Sequence, residues 1–62
     1  MCELKVYLTQ GNERVKVMDG VVRLIVAGDN VVLEGIFGEQ KKVLGRLIEV
    51  SITSQEALIA GS

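Results

Sequence analysis

Histidine, proline and tryptophan are all missing from this 62-residue chain, and cysteine occurs once, as Cys2. Without histidine, nucleophilic catalysis of the Ser–His or Cys–His kind is left without its usual base. A single cysteine cannot close an intramolecular disulfide, which argues against the disulfide-stapled secreted class. The aromatics amount to Tyr7 and Phe37, few for a sheet that would read RNA by stacking several bases. An excess of charge of either sign is missing as well: seven Lys and Arg against eight Asp and Glu leave a net charge of -1. Phosphate-binding proteins normally carry a basic excess or stripe, so the balance disfavours nucleic acid as a partner. The longest apolar runs, such as Leu24-Ile25-Val26-Ala27, fall far short of the roughly 20 residues a membrane-spanning helix needs. No charged segment leads into an apolar run of signal-peptide length. The expectation is a cytoplasmic protein that does not enter membranes.

What is present is aliphatic. Hydrophobic residues make up 48% of the chain, and they are mostly Val, Leu and Ile, which suit pleated sheet. The chain is long enough for one small domain, residues 1–62, of the size that buries only about 60% of its unfolded surface. One small barrel cannot easily hide that much aliphatic surface. A homodimer that covers the excess is therefore expected, two-fold dimers being the commonest soluble oligomers.

Alternation and glycine punctuation give the architecture. Leu4, Val6 and Leu8 alternate with Lys5, Tyr7 and Thr9, a first strand with one apolar face. Gln10 to Glu13 reads as a turn, Arg14 to Met18 as a second strand, and Asp19-Gly20 as a type I′ hairpin turn. Val21 to Ala27 is a third strand, apolar on both faces and so central or at an interface. After a turn at Gly28-Asp29-Asn30, Val31 to Phe37 forms a fourth strand with a bend or bulge at Gly35. Gly38-Glu39 turns the chain, and Lys41 to Leu44 leads through Gly45 into a strand from Arg46 to Thr53. In that strand Ile48, Val50 and Ile52 alternate with Glu49, Ser51 and Thr53. A turn at Ser54 to Glu56 precedes a closing strand, Ala57 to Ala60. Five to seven short strands at this spacing imply an all-β fold, a small antiparallel SH3-like barrel, with an OB-like barrel as the alternative.

Soft-donor chemistry is confined to the N-terminus. Cys2 offers a thiolate, a ligand type that suits nickel, zinc and copper(I), and nitrogen-plus-sulfur square-planar coordination suits nickel(II). If Met1 is retained, its amine, the Cys2 amide nitrogen and the Cys2 sulfur can form two fused chelate rings. If Met1 is removed, Cys2 contributes amine and thiolate, and a second copy of the chain can complete a two-nitrogen, two-sulfur set. Glu3 is a further oxygen donor at the same end. The bland reading is a cysteine that packs as a small hydrophobe.

Other constellations carry less. Glu13, Glu34, Glu39, Glu49 and Glu56 are spread singly, as solvated carboxylates are, so paired-carboxylate catalysis has no footing and the chain reads as a non-enzyme. Gly35-Ile36-Phe37-Gly38 lies between strands, not before a helix, and fails the context of a phosphate loop. Lys41, Lys42 and Arg46, with Gln40, form the only basic cluster. Together with Tyr7 or Phe37 as a stacking ring, they make an RNA-binding module the rival reading.

Met1-Cys2-Glu3, Val6-Tyr7-Leu8, Val17-Met18-Asp19-Gly20-Val21, Phe37-Gly38-Glu39-Gln40-Lys41 and Gly45-Arg46-Leu47-Ile48-Glu49-Val50 together resemble the CooT family. These are small nickel-binding proteins associated with maturation of carbon monoxide dehydrogenase. The resemblance extends over nearly the whole chain. It implies an SH3-like homodimer that binds nickel(II) through Cys2, with Met1 entering through its backbone amine, and a nickel-enzyme client. Family members often carry a histidine near the final hairpin, where this chain has Ser54-Gln55-Glu56. Hydrogenase-maturation chaperones also begin Met-Cys, but the proline-containing segment that follows their cysteine is absent here.

Overall fold

A computed structural model describes residues 3–61, and within them the chain forms five strands and no helix. These are β1 (Leu4–Gln10), β2 (Glu13–Ala27), β3 (Asn30–Gly35), β4 (Gln40–Ser51) and β5 (Glu56–Gly61). They close into a barrel in chain order, each strand bonded to the next and β5 to β1. The expected small all-β barrel is what forms. Its next-neighbour order sets it apart from the OB-like alternative, a Greek-key barrel. Four seams are antiparallel, whereas β1 and β5 run parallel from Lys5–Glu56 to Thr9–Ala60. An odd number of up-and-down strands can close in no other way.

Two glycines that read as breaks in the sequence are corners inside long strands. Asp19-Gly20 is not a hairpin turn: β2 runs through it, pairing with β1 as far as Val21 and with β3 from Val21 onward. Gly20 has φ 62, a left-handed conformation open to glycine, and the register slips on both sides of it. The local chemistry of a type I′ turn and of a bulge is the same; here the bulge lets one strand wrap around the barrel. Gly45 does the same for β4, which pairs with β3 through Leu44 and with β5 from Gly45 onward. Its φ is 151, and a side chain there would strike the Ala60 carbonyl and the Ile59 methyl.

The core comprises Val6, Val21, Val31, Leu33, Val43, Ala57 and Ile59, with Leu4, Leu8, Val17, Met18, Leu24 and Leu47 packed around it. Every strand contributes, and the barrel is filled by aliphatic side chains, Val and Leu above all, without any aromatic. Two expectations need correction at the strand ends. The fourth expected strand stops at Gly35, where its N–H bonds the Glu39 carbonyl (2.8 Å) and closes a turn over Ile36 to Gly38. The last long strand stops at Ser51, and a bulge between Leu47 and Glu49 leaves Ile48, Val50 and Ile52 exposed.

Gly45→Ala is expected to cost about 2–3 kcal/mol, combining left-handed strain with the collision at Ala60. Gly28→Ala, also at positive φ but facing open space, should cost only about 1 kcal/mol. Urea denaturation of the two variants beside the parent measures the difference. Leu33→Ala, which hollows the largest fully buried side chain, should lose about 3 kcal/mol or more in the same assay.

Candidate metal centre

The N-terminal edge of the barrel is built from three segments. Glu3 precedes β1, and the next residue but one, Lys5, donates its N–H to the Gln55 carbonyl (3.0 Å). Gln55 sits at φ 59 in the turn between β4 and β5, its own N–H bonded to the Ile52 carbonyl (3.2 Å). The third segment is the β2 corner, where the Glu3 carboxylate lies against Gly20. Glu3, Lys5, Asp19, Gly20 and Gln55 line an open pocket of about 490 Å³.

Charges in this pocket are mixed and solvated. Lys16 Nζ donates to Asp19 Oδ2 at 2.8 Å, both side chains exposed. The hydrogen bond to Asp19, then its charge, raises the Lys16 pKa above the ordinary 10.5. A raised amine pKa contributes stability that is present below the unfolded value and lost as pH rises through the folded one. At a fully exposed pair that contribution is small and screened by salt. Asp19 is thus held in an ion pair on the pocket rim, leaving Glu3 as the pocket's second carboxylate.

Met1 and Cys2, the two residues to which the sequence assigns metal binding, lie outside the described residues. Among the described residues no three of His, Cys, Asp and Glu converge as a metal site. The barrel therefore offers at most one or two oxygen donors beside its N-terminus. The chain's one cysteine, Cys2, precedes Glu3 in the sequence.

The fold parts Lys41 from Lys42 and Arg46, which share the outward side of β4. Lys41 and Lys42 stand opposite Leu33 and Val32 on β3, so they point to opposite faces of β4. Lys41 Nζ reaches back to the Val17 carbonyl (3.4 Å). Tyr7 stands between Lys16 on β2 and Leu58 on β5, and Leu58 pairs in turn with Glu49 on β4, so its row across the sheet carries a base and an acid. The Tyr7 ring is covered by the Arg14 guanidinium at 4.4 Å, and Arg14 is held by Glu56 at 2.8 Å. A base cannot stack on a ring face that an arginine already occupies. Phe37 is exposed but sits on the β3–β4 turn, separate from Tyr7.

The family model described as CO dehydrogenase accessory protein CooT matches residues 1–60. The chain belongs to the CooT family. A crystal structure assigned to CooT from Carboxydothermus hydrogenoformans superposes with a TM-score of 0.87 over 98% of each chain at 21% identity, which supports the shared fold. An uncharacterized protein from Archaeoglobus fulgidus is 32% identical over 44 residues, spanning 71% of this chain and 98% of its own length. This CooT-family chain thus has the barrel of its structural relative, and its family is one of CO dehydrogenase accessory proteins.

Sequence reasoning singled out Glu3 but read Asp19 and Gln55 only as turn residues. Asp19 lies 16 positions and Gln55 52 positions from Glu3 in the chain, and no local pattern signals their meeting. Filter binding of a labelled single-stranded RNA is expected to show no retention at low salt. A steep salt-dependent affinity that Lys42→Ala and Arg46→Ala weaken would instead mark a phosphate-binding face.

Proposed function

We propose that this CooT-family chain is a cytoplasmic carrier of nickel(II), not an enzyme, holding the ion through Cys2 for delivery to a nickel enzyme such as CO dehydrogenase. The observation that carries the reading is the sole cysteine at position 2 of a chain in a CO dehydrogenase accessory family. Nickel is cargo here. It needs a site that binds through few protein ligands and can give the ion up. A thiolate with terminal amine and backbone nitrogens supplies soft and borderline donors of the kind nickel(II) takes in square-planar form. Glu3 can add a carboxylate oxygen, and the rest of the barrel contributes support.

A homodimer fits this reading, because a second copy doubles the available thiolates. Ile48, Val50 and Ile52 are 51%, 42% and 61% exposed, a strip of aliphatic surface that a second copy can cover. Light scattering at tens of micromolar should give the mass of two chains. Paired Ile48→Glu and Ile52→Glu substitutions should halve it while leaving the fold's circular dichroism intact.

Titration of the protein with nickel(II) should produce a thiolate-to-metal charge-transfer absorption that saturates. Cys2→Ser should abolish the band and weaken binding at least tenfold. Equal binding by Cys2→Ser would overturn the assignment.

A further inference from the structure

Closure of the barrel leaves half-strands with one neighbour each. In β2, Glu13 to Met18 pair only with β1, and Arg23 to Ala27 only with β3. In β4, Gln40 to Leu44 pair only with β3, and Gly45 to Ser51 only with β5. Each half therefore has an edge that no other strand covers among the described residues. We propose that the Arg23–Ala27 edge of β2 pairs with the same edge of a second copy, antiparallel about a two-fold axis at Ile25. The proposal rests on the homodimer reading above and names where the copies meet.

The backbone at this edge points outward. The Gly35 N–H bonds the Glu39 carbonyl on the β4 side of β3, and the Ile36 N–H bonds the Gly20 carbonyl on the β2 side. Backbone groups alternate sides along an antiparallel strand, so Val31 and Leu33 bond towards β4, and Asn30, Val32 and Glu34 towards β2. Their β2 partners, Ala27, Ile25 and Arg23, bond back to β3. The N–H and C=O groups of Leu24 and Val26 are left facing the open edge. An unpaired row of this kind is a template for another strand.

The other three edges are blunted. Arg14 and Lys16 lie along the first half of β2, whose Val17 carbonyl takes the Lys41 ammonium at 3.4 Å. Lys41 and Lys42 guard the first half of β4, and a bulge between Leu47 and Glu49 bends the second. Lysines and bulges are common devices against edge pairing. Arg23 to Ala27 contain neither a lysine nor a register shift. Their one charge, Arg23, leans to Glu34 on β3 at 3.6 Å, and Ile25 and Val26 are 36% and 59% exposed.

The segment is complementary to itself, which makes a second copy the occupant. With the axis at Ile25, Leu24 of each copy stands opposite Val26 of the other, and the two exchange the hydrogen bonds that both lack. Ile25 then meets its own counterpart on the outer face, and Arg23 meets Ala27, so no like charges are opposed. An axis at Leu24 would draw the bulged Val22 into the ladder, and one at Val26 would run Leu24 into the turn at Gly28. A two-fold interface needs one self-complementary patch of this kind. The Gly20 corner of β2 and Gln55, in the turn that Ile52 opens, line one pocket. The edge and the Ile48–Ile52 strip therefore start from a common point, and one interface can draw on both.

The test uses the full chain without metal. Ile25→Cys in a Cys2→Ser background puts thiols on the axis, where residues of a non-hydrogen-bonded pair stand about 4.5 Å apart between Cα atoms, within disulfide range. Oxidation should link this protein into a covalent dimer on a non-reducing gel. Lys42→Cys in the same background, in the same outward row as Ile25 but two strands away, should stay unlinked. Ile25→Lys sets like charges face to face and should reduce the light-scattering mass to one chain with circular dichroism unchanged. No cross-link through Ile25→Cys, or equal cross-linking through Lys42→Cys, overturns the edge pairing. A folded Ile25→Lys that stays dimeric does the same. If that dimer is instead broken by the paired Ile48→Glu and Ile52→Glu substitutions, the homodimer reading stands without the edge. A monomeric parent overturns both.

Discussion

The parallel pairing of β1 with β5 closes the sheet, and the fully buried side chains of Val6 and Ile59 and the nearly buried Ala57 come from those two strands. Without that seam the meander would expose two unpaired edges and lose one wall of its core. The seam also decides where the N-terminus goes. Because β1 is locked between β2 and β5, Glu3 is delivered to the edge of the barrel beside the Gly20 corner and the Gln55 turn.

That arrangement divides labour within a very small protein. The interior holds aliphatic side chains, and the described residues contain no buried polar or charged side chain. The ion pairs Arg14–Glu56, Lys16–Asp19 and Arg23–Glu34 lie mainly at the surface, where water and salt screen them. Among the described residues no three of His, Cys, Asp and Glu gather as a metal site. Apolar side chains are also spent on the outside, at Ile36 and Phe37 on the β3–β4 turn, at Ile48, Val50 and Ile52, and at Val15, Val22, Val26 and Leu44.

The sequence makes much of this legible. Alternation of Leu4, Val6 and Leu8 with Lys5, Tyr7 and Thr9 identifies β1, and the Gly11 and Gly28 turns mark real hairpins. Asp19-Gly20 misleads because a left-handed glycine serves a two-residue turn and a bulge equally well. Only the strand partners, which are distant in sequence, decide between them. Ile48, Val50 and Ile52 mislead differently. Period-two spacing groups residues on a face but does not say which face looks inward, and the bulge after Leu47 changes the answer. At the candidate site the donor chemistry of Cys2 is visible in composition alone, whereas the pocket beside it exists only once three separate segments meet.

The central claim is that the cargo ion is bound through sulfur at the N-terminus, not by carboxylates on the barrel. X-ray absorption at the nickel edge of the loaded protein reads the ligand atoms directly. Sulfur backscattering at one or two atoms per nickel in the parent, replaced by a shell of oxygen and nitrogen alone in Cys2→Ser, is the result this account requires. A nickel shell of only oxygen and nitrogen in the parent, unchanged in Cys2→Ser, would contradict it.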